Sequence, residues 1–166
     1  MEEIEITFSL LSARGTNMHK IYLDTSVISA LFDERNPDRK MLTENFFARI
    51  QDYEVYVSDL TLDEIKKNRN ESLKEKMQAC ARSFIVLEET EAVIALAHKL
   101  VQAKAVPQSS FEDASHIAFA VIVEVTFLVS WNFRHLVRLK TREVVHQVTL
   151  SQGYNPIQIV APPEII

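Results

Sequence analysis

The sequence predicts an α/β protein, a three-layer α/β/α sandwich around a mostly parallel central sheet, and three observations carry that expectation. Short runs rich in Val, Ile, Tyr and Phe alternate with longer stretches whose apolar residues recur at helical spacing. Two glycines and five prolines among 166 residues leave little room for long flexible linkers or Gly-rich phosphate loops. A hydrophobic content of 47% suits one compact core large enough to need no staples. Strands separated by helices imply right-handed crossovers and a sheet covered on both faces.

Taken in order, strands are predicted near His19 to Leu23, Val55 to Val57, Phe84 to Leu87, Thr126 to Val129 and Pro156 to Val160. Helices are predicted near Thr25 to Phe32, Asp38 to Gln51, Leu60 to Asn68, Leu73 to Ser83, Glu89 to Lys104, Phe111 to Val125 and Leu139 to Gln152. Residues 1–17 stand apart. Ile4, Ile6 and Phe8 alternate as an added edge strand would, while Met18, just before the first strong strand, equally suits an upstream misassigned start. The segment is acidic where a secretory signal would be basic.

Composition narrows the function classes. A formal charge of −5 provides no global basic field for nucleic acid or anionic membrane, so any nucleic-acid contact must be local. The one cysteine, Cys80, excludes an intrachain disulfide and a Cys-based zinc cage; it reads as a buried inert thiol in a reducing, cytoplasmic setting. No apolar run approaches the roughly 20 residues needed to span a bilayer. No membrane association is expected.

The chemistry sits at strand ends. In "KIYLDTSVISALF", Asp24 follows a strand and precedes a helix, where its plain role is an N-cap. Ligands in parallel sheets gather beyond the carboxyl ends of the strands, however, and Asp24 stands at such an end. Three more stretches place a polar side chain just after a strand or in the first turns of a helix: Glu64 in "VYVSDLTLDEI", Asp113 in "SSFEDASHIAFAVIV" and Asn132 after the strand in "FLVSWNFRHL". Taken singly, the two acids could complement helix dipoles and the amide could serve a turn. Carboxylates that converge repel unless a cation holds them, and oxygen donors without His or Cys point to a hard ion, Mg²⁺ or Mn²⁺.

The order Asp24 in "LDTSV", Glu64 in "SDLTLDEI", Asp113 in "EDASHIAFA" and a polar residue after "LVSW" resembles the PIN-domain ribonucleases, and among them the toxin-like VapC type. The resemblance runs from Met18 to the C-terminus, so 18–166 is expected to form a single PIN-like domain. It implies Asp24, Glu64 and Asp113 as metal ligands, with the hydroxyls of Thr25, Ser26 and Ser130 nearby. Where many members carry a fourth acid, this chain has Asn132, which can ligate or orient but adds no charge. The activity implied is hydrolysis of RNA phosphodiesters by a metal-activated water, reduced by the missing acid. Glu64 serves there as a ligand or as a base acting through water, and Asn132 as an orienter. A homodimer and a small antitoxin are further implications.

Cations for RNA come from "NFRHLVRLKTR", chiefly Arg134 and Arg138, with His135, Lys140 and Arg142; Lys66, Lys67 and Arg69 form a weaker second patch. His116 reads as a structural hydrogen-bonding histidine. Two rival readings remain. An aspartyl-nucleophile phosphotransferase would want a second acid two residues after Asp24, where Ser26 stands. The stronger rival is a catalytically weakened PIN-like module that binds RNA or protein.

Overall fold

The computed structural model describes residues 18–165, so both readings of residues 1–17 lie outside the described residues. Five strands, β1 (His19–Leu23), β2 (Tyr53–Ser58), β3 (Ile85–Leu87), β4 (Phe127–Val129) and β5 (Gln158–Val160), form one sheet in the order β3-β2-β1-β4-β5. Every neighbouring pair is parallel. The helices are α1 (Thr25–Leu31), α2 (Pro37–Phe47), α3 (Asp59–Lys66), α4 (Glu71–Arg82), α5 (Glu91–Gln102), α6 (Phe111–Ile122) and α7 (Leu139–Ser151), with 3₁₀ turns at Ile50–Asp52 and Pro162–Ile165. The expected sandwich is the observed one.

Burial on both faces of the sheet explains the near-continuous apolar strands. Successive side chains of one strand enter different cores: Ile21 and Leu23 pack with Val55, Val57, Val129 and Val160, whereas Tyr22 packs with Tyr56, Leu128 and Ile159. The first core is closed by Val27, Ile28, Phe46, Ile65 and Met77 from α1 to α4. The second is closed by α5 and α6: the stripes Val93, Leu96, Ala97, Leu100 and Ala114, Ile117, Ala118, Val121 are buried as the periodicity predicts, while Ile122, the last residue expected in the second stripe, is only partly buried. Each fully buried Leu or Ile side chain contributes roughly 1.5–3 kcal/mol.

Where element ends differ from the expectation, local chemistry accounts for it. The helix expected over Asp38 to Gln51 starts at Pro37, whose fixed φ suits a first helical position, and stops at Phe47 before the short 3₁₀ turn. The strand expected over Val55 to Val57 extends to Tyr53 and Ser58, because its register with β1 pairs His19 with Tyr53 and its register with β3 pairs Ser58 with Leu87. Helices α5 and α6 end two and three residues early, at Gln102 and Ile122. Lys104 and Glu124 just beyond them take positive φ, 60° and 57°, and close the last turns by donating backbone N–H groups to Val101 and Val121. Gly153 does the same after α7 at φ 78°. Among these three caps glycine, the residue that adopts this conformation without strain, is used once.

This topology positions the site. Strand β1 is central, with β2 on one side and β4 on the other, so the chain leaves it in opposite directions and opens a crevice at the carboxyl edge. Asp24 stands at that edge, its backbone N–H donating to Val129 O at 3.2 Å.

Candidate functional site

Asp24 is both a cap and a wall of a cavity. Its Oδ1 accepts from the Ser26 N–H at 3.0 Å, capping α1, and from the Ser26 hydroxyl; its Oδ2 accepts from the Ser130 hydroxyl at 2.7 Å. At 4% exposure, burial pushes the carboxyl above its usual range, and the nearby charge of His116 and the Ser130 and Ser26 bonds only partly oppose this. The serines are themselves fixed: Ser26 Oγ accepts from the Trp131 N–H at 2.8 Å, and Ser130 Oγ from the Asn132 N–H at 2.9 Å. The segment after β4 is thereby tied to the segment after β1.

Glu64 arrives from the second turn of α3, a helix whose start is set by Ser58 and Thr61 in a reciprocal capping box. Its Oε2 accepts from the Thr25 hydroxyl and from His116 Nε2 at 3.0 Å. Burial raises the Glu64 pKa, but bonds and charge from His116, with Thr25, outweigh it and the net shift is downward. For His116, burial works against the charged ring; Glu64 outweighs it, with help from Asp24 and Asp113, and the net is upward. Behind His116, Tyr22 Oη lies 2.7 Å from Nδ1 and 2.7 Å from Ser58 Oγ. A row of polar groups therefore runs from half-buried Glu64 at the cavity through buried His116 and Tyr22 to buried Ser58.

Asp113 stands in the first turn of α6. Its Oδ1 accepts from Asn132 Nδ2 at 3.0 Å, and its Oδ2 from His135 Nδ1 at 2.8 Å. The Asn132 amide is oriented from both ends, since its Oδ1 accepts from the His135 N–H at 3.0 Å. Asp24, Thr25, Ser26, Glu64, Asp113, His116 and Asn132 line one cavity of about 350 Å³.

A model of the PIN domain matches residues 21–132, well over half of the chain. The chain belongs to the PIN-domain family. Its fold is similar to that of VapC20 from Mycobacterium tuberculosis, described as a sarcin-ricin loop cleaving toxin, with a TM-score of 0.56 over 83% of this chain and 98% of that one at 16% identity. It is also similar to a chain of a toxin-antitoxin complex from Klebsiella pneumoniae, with a TM-score of 0.55 over 74% of this chain and 94% of that one at 13% identity. At these identities the likeness is one of fold. A comparison with curated proteins gives no match.

Asp24 and Asn132 beyond strand ends and Glu64 and Asp113 in the first turns of helices share the one cavity of this PIN domain, with Thr25 and Ser26 in its wall and Ser130 behind Asp24. As they stand, no three His, Cys, Asp or Glu side chains among the described residues are gathered closely enough to hold a metal ion. Each acid is instead closed onto a donor: Asp24 onto Ser26 and Ser130, Glu64 onto Thr25 and His116, Asp113 onto Asn132 and His135. The donor set still fits a hard divalent cation, being three carboxylates, an amide and hydroxyls about a buried acid whose charge burial disfavours.

The predicted cations divide. Lys66 pairs with Asp63 at 2.7 Å, Lys67 with Glu112 at 2.9 Å and Arg142 with Glu164 at 3.2 Å, all within the chain. Arg134 is exposed, and Arg138 is half-buried with Nε donating to Thr141 Oγ1 at 3.0 Å. His135, read as one of the surface cations, turns inward to Asp113 instead. His116 is buried and hydrogen-bonded at both ring nitrogens, and it also lines the cavity. Its place three residues after Asp113 was the available signal; the partner Glu64 is 52 residues away in sequence. Among the described residues no helix is long and apolar enough to cross a membrane.

Proposed function

We propose that this PIN domain is a ribonuclease of the toxin-like VapC kind, hydrolysing RNA phosphodiesters with Mg²⁺ or Mn²⁺. The observation that carries the reading is the convergence of Asp24, Glu64 and Asp113, from three separate elements, on one cavity at the carboxyl edge of the sheet. Membership in the PIN family and a fold similar to that of a sarcin-ricin loop cleaving toxin support it.

Asp24, Glu64 and Asp113 would hold the ion, and a bound ion would supply Lewis-acid activation of water and offset charge on the phosphate. The chain's own groups do the rest. Ser26 and Ser130 hold the Asp24 carboxylate in place, Thr25 and His116 hold Glu64, and Asn132 holds Asp113. Glu64, kept ionised by His116 and Thr25, is a ligand or accepts a proton through water, and Asn132 orients without adding charge. Arg134 and Arg138 neutralise backbone phosphates. A homodimer, an antitoxin partner and a cytoplasmic setting belong to the same reading; similarity to a chain from a toxin-antitoxin complex supports the antitoxin.

One observation favours a second reading, a PIN-like module that binds RNA or protein with little turnover: Asn132 occupies one Asp113 oxygen with a neutral donor. Cleavage of a fluorogenic single-stranded RNA in Mg²⁺, in Mn²⁺ and in chelator, with Asp24→Asn in parallel, separates the two. The nuclease reading expects metal-dependent cleavage that the variant loses. Equal background from parent and variant across several RNAs leaves the binding module.

A further inference from the structure

A groove of about 540 Å³ is lined by Lys104, Val106, Pro107, Gln108, Arg138 and Lys140, among others. Three cations line it, and no carboxylate does among the described residues, in a chain of net charge −5. Among the described residues none of the three forms a salt bridge, so ion pairing there does not account for their meeting in one groove. Lys104 sits at φ 60°, where the chain uses glycine after α7, so a long cationic side chain stands at a position that strains the backbone. Arg138 commits Nε, one of its five donors, to Thr141. No side chain caps α7, which follows directly from Arg138, and its first turn carries no acid, so its end is open to negative charge.

The groove and the cavity are built from the same two segments. The α5–α6 connection supplies Val106 and Pro107 to the groove and leads through Ser110 to Asp113; the stretch after β4 supplies Asn132 and His135 to the site and Arg138 to the groove. Buried Thr141 fastens the two together, its Oγ1 lying 2.9 Å from Ala105 O and 2.7 Å from His135 O.

We propose that this groove binds backbone phosphates of a single-stranded RNA whose scissile bond lies in the Asp24–Glu64–Asp113 cavity, an inference that rests on the nuclease reading of that cavity. Its contacts are charge-based and sequence-independent; they position the strand and add affinity.

The test is fluorescence anisotropy of a labelled, unstructured RNA against the full chain, without divalent ion, across a salt series. The probes are the double variant Lys104→Gln with Lys140→Gln, and the single variant Lys104→Gly. Two lost phosphate contacts lower the slope of log K against log salt by about 1.4 and weaken binding at 0.1 M salt on the order of tenfold. Lys104→Gly relieves the positive φ, so it weakens RNA binding while melting no lower than the parent. Unchanged affinity and slope in the double variant overturn the groove, as does a loss seen for polyglutamate but not for RNA. Cleavage of the same RNA by the parent is scored separately. A reduced slope with no cleavage in either metal defeats the nuclease reading while RNA binding by the groove stands; cleavage with an unchanged slope does the reverse.

Discussion

Asn132 Nδ2 donates to Asp113 Oδ1 at 3.0 Å, so a neutral amide stands where a second carboxylate would meet the first. An acid at this position needs a cation beside it; an amide supplies its own donor. Asn132→Asp is therefore expected to lower the melting temperature in chelator, through repulsion costing roughly 1 kcal/mol in this half-buried setting. It should also enlarge the stabilisation by Mg²⁺ or Mn²⁺ relative to the parent. Thermal melts with and without each ion measure both effects, and an identical metal response in parent and variant would remove Asn132 from the metal site.

From His116 inward the row Glu64–His116–Tyr22–Ser58 is buried, so breaking it there strands polar groups away from water. His116→Leu leaves both the Glu64 oxygen and the Tyr22 hydroxyl short of a partner and should cost about 2–4 kcal/mol. Tyr22→Phe removes one hydroxyl and should cost about 1–2 kcal/mol. Urea unfolding at neutral pH gives both values. A Tyr22→Phe loss as large as that of His116→Leu would mean the hydroxyl, not the imidazole, anchors the row.

Asp33, buried after α1, is held well below the usual carboxylate range, first by the Arg35 side chain, then by Asn36 and Arg39. A carboxyl depressed in the folded state contributes stability above its unfolded pKa of about 3.9, and loses it as pH falls through the folded value. Asp33→Asn should thus be less stable than the parent at pH 7, with the difference shrinking as pH drops below about 4. Denaturation of both proteins between pH 2 and 7 measures that gap; a constant gap would assign the effect to packing.

Glu124, at φ 57° after α6, strains the backbone at a position where glycine would not. Its carboxylate accepts from Asn155 Nδ2 at 2.9 Å on the exposed surface, a bond worth little there. Glu124→Gly is expected to stabilise by about 0.5–1 kcal/mol, raising the melting temperature by about 1–4 °C. A lower melting temperature would show that the Asn155 bond or the glycine's freedom in the unfolded chain outweighs the relief.

The alternation of strands and helices, the apolar stripes of α5 and α6, and the placement of Asp24, Glu64, Asp113 and Asn132 at strand ends and helix starts can all be read along the chain. These are local properties: periodicity, caps and turn chemistry act over a few residues, so the chain displays them directly. Element ends were less legible. Lys104 and Glu124 stop their helices from a conformation usually left to glycine, and their identity announces no stop.

Which side chains meet is settled by the fold. His135 turning to Asp113, His116 bridging Glu64 and Tyr22, and Lys67 and Arg142 being taken up by Glu112 and Glu164 join residues 22 to 94 positions apart. Spacing cannot display such pairs, because crossovers of a parallel sheet carry distant strand ends to one edge. Which donor then satisfies which acid follows from burial, since every polar group withdrawn from water there must take the partner that the fold brings to it.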